Sequence, residues 1–222
     1  MIRTGIAGIM AVLVFVWPVH QHDENFRLHM KSVNVAGHNL FVSRYEVTAA
    51  SWFQCFVDGG CEHNAAEGKA SNNFPVTGVN WFDVNQYLDW ANRKAGGGLR
   101  LPTLAEWRLI DRTLVHPKPA PLFTDPRMAW AATYGQEKAV GGPVQKSGSF
   151  STTPEGIADL DGNVWEWTSS CFRADFEDSC PAYIAAGEHE AIVSIFVREP
   201  APGGCATGVP PSHLGFRLVA DR

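Results

Sequence analysis

The sequence predicts one domain in which short strands and a few helices are set in a large amount of loop. Three observations carry this. The 222 residues suffice to bury a real core and match the length of a single domain. Twenty-one glycines and 14 prolines demand many turns. Stretches with helical spacing are interspersed with β-branched and aromatic runs, and no repeat or low-complexity tract appears. Eight tryptophans and 13 phenylalanines supply core area. A net charge of −5 without any Lys/Arg run argues against nucleic acid or an anionic membrane surface as partner.

The chain opens with Arg3, then runs uncharged from Gly5 to Val19. That run is shorter than a usual bilayer span, and a positive start before it is the build of a secretory signal. Residues 1–19 are therefore read as a signal peptide or an uncleaved N-terminal anchor, since no small-x-small cleavage pair is obvious near Trp17-Pro18-Val19. Either reading exports the rest, to a periplasmic or secreted location, and membrane contact is expected only through an uncleaved N-terminus. Residues 20–32 read as a polar linker. Its His20, His22 and His29 resemble a metal-binding arm, but nothing nearby holds the imidazoles in place. The domain is expected over 33–222.

Val33 to Val47 reads as strand, with a hairpin turn at Gly37-His38-Asn39. Thr48 caps a helix from Ala49 to Asp58, with Trp52/Phe56 and Phe53/Val57 as i, i+4 pairs on a core-facing side. Gly59-Gly60 ends it, and Cys55 and Cys61 across that stop form an expected disulfide. Pro75 to Val79 reads as a short strand. Asn80 caps the next helix with Asp83 three residues on, and Val84, Leu88 and Ala91 form its stripe beside Tyr87 and Trp90. Gly96-Gly97-Gly98 closes this helix and lacks the lysine and hydroxyl of a phosphate loop. Thr103-x-x-Glu106 is a capping box, with Leu104, Trp107, Ile110 and Leu114 following at helical spacing. Glu106 is read as a cap rather than a catalytic base.

Val115 to Ser151 reads as irregular loop. Beyond the next motif, Cys171 and Cys180 bracket a loop and form a second expected disulfide. Ala191 to Arg198 reads as a buried-type strand, and Leu214 to Ala220 as the last strand. Five cysteines leave at least one unpaired in a monomer. Cys205 is the natural odd one out, and pairing of Cys171 with Cys205, leaving Cys180 free, stays open.

Asp159-Leu160-Asp161-Gly162-Asn163-Val164-Trp165-Glu166-Trp167 is the densest stretch. Gly and Asn tolerate positive φ and Asp bonds its own backbone, so a turn forms. Trp-Glu-Trp then alternates as a half-buried strand, aiming Glu166 away from the indole face. A carboxylate beside a carbonyl-rich turn is a candidate hard-cation site, although no complete calcium-loop pattern is present. The plainer reading is a Trp-anchored turn with solvated acids.

These stretches, in this order, resemble the formylglycine-generating enzyme (sulfatase-modifying factor) family. The matching pieces are Tyr45-Glu46-Val47-Thr48, Pro75-Val76 leading to Val79-Asn80-Trp81, and Arg100-Leu101-Pro102-Thr103 with Ala105-Glu106-Trp107. Gly162-Asn163-Val164-Trp165-Glu166-Trp167 and Gly215-Phe216-Arg217 complete them. The resemblance implies an α+β, variant C-type-lectin-like fold with limited regular secondary structure. It also implies calcium held by the Asp159 side chain, the Gly162 and Val164 carbonyls and the Glu166 carboxylate, with Asp159 where the family usually has Asn. A second family calcium site looks absent at Trp130-Ala131-Ala132-Thr133-Tyr134.

Family oxidases bind copper(I) through two nearby cysteines ahead of Gly-Phe-Arg, because soft thiolates suit that ion. This chain has only Cys205 there, with His213 or His189 as conceivable helpers. Two expectations follow. One is an exported accessory, maturation or binding domain on the family scaffold. Its Gly203 to Pro211 run is similar to that of small proteins found alongside copper nitrite reductases, implying a periplasmic reductase as partner. The other is a metal-dependent oxidase of a protein or small thiol, acting through Cys205 as copper ligand or nucleophile.

Overall fold

A computed structural model describes residues 29–67, 73–112, 114, 143–173, 180–187, 190–198 and 213–221. The expected signal or anchor, Cys205 and His189 lie outside these residues. Among the described residues there are two four-stranded sheets and three helices.

The first sheet begins with a hairpin of β1 (Met30–Val35) and β2 (His38–Ser43) in antiparallel register, Val35 opposite His38. The turn is Ala36-Gly37, both at positive φ, and Asn34 Oδ1 accepts the Gly37 N–H at 3.2 Å. Two consecutive positive-φ residues match the twist of the flanking strands. The turn therefore sits ahead of the expected Gly37-His38-Asn39. β1 also starts three residues ahead of 33, within the expected linker, because Met30 is buried and pairs with Ser43.

Thr48 caps α1 (Ala49–Val57), accepting the Ser51 N–H at 3.2 Å. Its buried stripe is Ala49, Trp52 and Cys55. The expected inward Phe53/Val57 pair faces outward, with Val57 60% exposed. A stripe at i, i+3, i+6 turns those two positions to the far side of so short a helix. The Cys55–Cys61 disulfide closes its end. Pro75 to Val79 makes only a Thr48–Pro75 bridge. Pro75 has no N–H to donate and Gly78 sits at φ +73°, which breaks the pleat of the expected strand.

α2 (Trp81–Ala95) opens with a reciprocal Asn80–Asp83 capping box, both bonds 2.9 Å, and ends at Gly96 in the left-handed region. β3 (Leu99–Arg100) leads into α3 (Leu104–Asp111), which starts with the expected Thr103–Glu106 box. Arg100 grips Glu106 at 2.8 and 2.7 Å, and that bonding holds the Glu106 carboxyl below its usual range.

The second sheet holds β4 (Trp165–Cys171), β5 (Ala182–Ala186), β6 (Ala191–Ser194) and β7 (Leu214–Gly215) in the order β6-β5-β4-β7. Cys171 and Cys180 form the second disulfide, beside a bulge in β4. β6 stops at Ser194, so the expected strand to Arg198 is halved. It is an edge strand: Ile192 faces out, and Phe196, in the turn beyond, is also exposed. β8 (Val219–Ala220) lies between β2 and β3 in the first sheet. The expected last strand is thus two short ones, and Phe216-Arg217-Leu218 crosses from one sheet to the other. The larger core gathers Trp52, Tyr87, Trp90, Trp167 and Phe216. A smaller one joins the hairpin to α3 through Val42, Trp107, Ile110 and Leu160.

Candidate functional site

The Asp159–Trp167 stretch begins as the expected turn, with Asp159 and Asn163 at positive φ. Its polar side chains bind neighbouring backbone. Asp159 is fully buried and accepts the N–H groups of Gly148 and of Phe150, the latter at 2.8 Å. Asp161 accepts from Ser151 at 3.1 Å, and Asn163 from Gln145 at 2.9 Å. Three side chains of one turn thus organise the backbone of residues 145–151. A Cβ on Gly162 would meet the Phe150 ring at 2.4 Å, so the two lie in close approach.

Glu166 alternates away from Trp165 and Trp167 as expected, yet it is 1% exposed. It enters a second interior, between β4 and α3. Its Oε2 accepts from Trp107 Nε1 at 2.8 Å and Arg217 Nε at 2.6 Å, and its Oε1 accepts from Arg217 Nη2 at 2.5 Å. Arg217 has no solvent contact and also donates to the Ala158 and Ser43 carbonyls, at 3.0 and 3.4 Å. A buried charge is tolerable only when paired and hydrogen-bonded, and this pair meets both conditions.

The expected calcium set does not fit this arrangement. Calcium takes six to eight oxygens. Both Asp159 oxygens accept backbone N–H groups, and both Glu166 oxygens accept from Arg217. The Gly162 carbonyl accepts the Val164 N–H at 3.0 Å. Among the described residues, no group of three His, Cys, Asp or Glu side chains is arranged to hold a metal ion.

Glu46 completes this interior and was missed as a functional residue. It is 2% exposed, and no other residue donates a hydrogen bond to either carboxyl oxygen. Burial pushes its pKa up to about 8; Arg217 pulls the other way, and Glu166 and Asp159 reinforce the rise. Its sequence signal was an acid between Tyr45 and Val47, two residues that belong in a wall. Arg217 carried a similar signal, standing between Phe216 and Leu218.

The sequence also pointed to the C-terminal loop. β7 runs parallel to β4, and the Trp165 N–H donates to the His213 carbonyl at 2.9 Å. His213 is therefore seated beside Trp165, whose indole would meet a Gly187 Cβ at 2.7 Å. Gly215 is fixed by the approach of the Val76 carbonyl, 2.8 Å from where its Cβ would be. Cys55, Cys61, Cys171 and Cys180 are all in disulfides, away from any thiol chemistry.

Two small sheets joined by a terminal crossover, with a buried Glu166–Arg217 pair behind Gly-Asn-Val-Trp-Glu-Trp, make an α+β domain. The model of the sulfatase-modifying factor enzyme 1-like domain matches residues 18–222, and the chain belongs to that family. The formylglycine-generating enzyme of Thermomonospora curvata is 31% identical over 135 residues, 53% of this chain and 42% of that protein. The inactive C-alpha-formylglycine-generating enzyme 2 of Bos taurus is 33% identical over 113 residues, 47% of this chain and 36% of that protein. The chain thus spans less than half the length of these relatives. Among solved structures, Treponema denticola variable protein 1 aligns with a TM-score of 0.56 at 19% identity, covering 87% of this chain and 95% of that one. PvdO from Pseudomonas aeruginosa aligns at 0.55 and 20%, covering 83% and 81%. At those identities the structural likeness speaks for the fold.

Proposed function

We propose that the chain is an accessory or binding domain on the formylglycine-generating-enzyme scaffold, working in an oxidising compartment, and that it does not perform thiol oxidation. The observation that supports this is cysteine arithmetic. Of five cysteines, four are in disulfides, which leaves Cys205 as the single thiol. A copper(I) site of the family type needs two thiolates. Disulfides suit an exported protein, and among the described residues no helix is long and apolar enough to cross a membrane. The relative from Bos taurus carries the word inactive in its name, so the scaffold is used without the activity. The partner this reading favours is an exported protein, with a periplasmic reductase as the first class to try.

The test is copper(I) titration of the protein with its disulfides intact, against a competing chelator, alongside the Cys205→Ser variant. The expected result is one titratable thiol per chain, no stoichiometric copper(I) uptake that depends on Cys205, and no oxidation of a cysteine-containing peptide. Tight one-to-one uptake abolished by Cys205→Ser, together with peptide oxidation, would establish the oxidase reading instead.

A further inference from the structure

We propose that the cavity between the Ser43–Thr48 segment, α1 and α2 binds a small organic carboxylate with an apolar body, whose anionic end is taken by Arg44. The cavity measures about 500 Å³, within the range of small-ligand sites. Met30, Val47, Tyr87, Trp90 and Leu218 give it apolar and aromatic walls. The Ser51 hydroxyl and the Tyr87 phenol, 2.5 Å apart, satisfy each other at the wall. The body of the ligand therefore meets surface that asks for few hydrogen bonds, as an apolar group requires.

The ionisable groups of the lining decide the sign of the ligand. Besides the tyrosines they are His29, Arg44, Glu46 and Lys94. Glu46 is the acid among them, and its carboxyl oxygens are shut away from solvent, beside Arg217 and Glu166. Lys94 is bound to Asp58 at 2.8 Å, and Asp58 stands outside the lining. Arg44 is exposed, holds its guanidinium 5.0 Å from the centroid of the Tyr45 ring, and has no acidic partner among the described residues. A guanidinium over a ring face keeps its N–H edge for a two-point bond to a carboxylate. An amine would meet Arg44 and Lys94 with no accessible acid in the lining to hold it. A neutral ligand would fill the walls and gain nothing from Arg44.

The backbone of Arg44 is pinned on both sides. Its N–H donates to the His29 carbonyl at 3.4 Å, and its carbonyl accepts the Ala158 N–H at 2.9 Å. The anchor is thus fixed at its base beside the cavity, while its exposed side chain is free to close on a ligand. The site rests on described residues alone and is independent of Cys205, so it stands or falls apart from the copper question.

The experiment is calorimetric titration of the full chain with phenylacetate, phenethyl alcohol, phenethylamine and acetate at about pH 7.5, where both carboxylates and the amine are ionised. The proposal expects saturable one-to-one binding of phenylacetate, about ten-fold or more tighter than of the alcohol. It expects no measurable binding of the amine, which the cations repel, or of acetate, which lacks the apolar body. Arg44→Gln should bring phenylacetate down to the level of the alcohol. Arg108→Gln, which removes an exposed cation that does not line the cavity, should leave every affinity unchanged, and circular dichroism reports whether each variant folds. Equal binding of phenylacetate and alcohol, tighter binding of the amine, a preference for phenylacetate that survives Arg44→Gln, an equal loss in Arg108→Gln, or no binding of phenylacetate at all would overturn the proposal.

Discussion

Arg217 and Glu166, 51 residues apart in sequence, meet as a two-point ion pair with essentially no solvent contact on either side chain. Each comes from a motif that the sequence shares with its family, and the pair locks those motifs together. Glu166 lies on β4 of the second sheet, and Arg217 lies on the crossover into the first. Breaking the pair leaves an uncompensated charge in the interior. Arg217→Met should therefore cost about 3–5 kcal/mol, measured by urea unfolding. Converting both residues, Arg217→Met with Glu166→Leu, should be less damaging than Arg217→Met alone, because the Glu166 carboxylate is then not left buried without its guanidinium partner. A double variant as unstable as the sum of the two singles would show that the pair acts through shape and not charge.

The same pair bears on calcium. A ligand that binds only the folded state stabilises it by RT ln(1 + [L]/Kd), so a micromolar site in millimolar calcium would add about 4 kcal/mol. A domain of this size would then gain several degrees in Tm. With the Asp159 and Glu166 oxygens already bound by protein donors, the expected shift is below about 1 °C, with calcium or with EDTA. Differential scanning fluorimetry checks this, and a rise of several degrees would mean that Arg217 gives way to the metal.

Glu46 makes stability fall as pH rises. Its folded pKa, about 8, lies above the 4.5 of an exposed glutamate. Between those values the folded state holds a proton that the unfolded state has lost. The stabilisation is complete below about pH 4.5 and lost as pH climbs through about 8, at up to about 1.4 kcal/mol per pH unit. Glu46→Gln cannot titrate, so its stability relative to the parent should improve from pH 5 to pH 8. Unfolding curves for both proteins at the two pH values, showing the same difference at each, would contradict the raised pKa.

What could be read from the sequence was what local chemistry decides. Thr48, Asn80 and Thr103 cap their helices because a short polar side chain meets a backbone N–H two or three residues on. The two disulfides close over short separations and were legible for the same reason. Burial set by distant partners was not legible. Glu166 is a candidate cation ligand on local sequence alone, and its ion-pair partner Arg217 stands 51 residues later. Nothing local to Glu46 foretells its burial, because the cation that acts on it, Arg217, stands on the crossover far along the chain. The run from Leu214 to Ala220 has the composition of one strand, and only the presence of two sheets splits it.

Two of the tight glycines, Gly215 and Gly162, separate a rigid approach from a yielding one. A Cβ on Gly215 would meet the Val76 carbonyl oxygen at 2.8 Å, and also Val164 Cγ2 at 3.0 Å. Relief there requires backbone to move, because Gly215 is paired to Glu166 in β7. A Cβ on Gly162 would meet Phe150 at 2.4 Å, which is closer, yet Phe150 is 39% exposed and its ring can swing into solvent. The shorter distance should therefore have the smaller consequence. Gly215→Ala is expected to destabilise by about 2–3 kcal/mol and Gly162→Ala by about 1 kcal/mol, measured by urea unfolding. The reverse order would place the rigid contact at the turn, and the Phe150 ring, not the Val76 backbone, would then be the fixed partner.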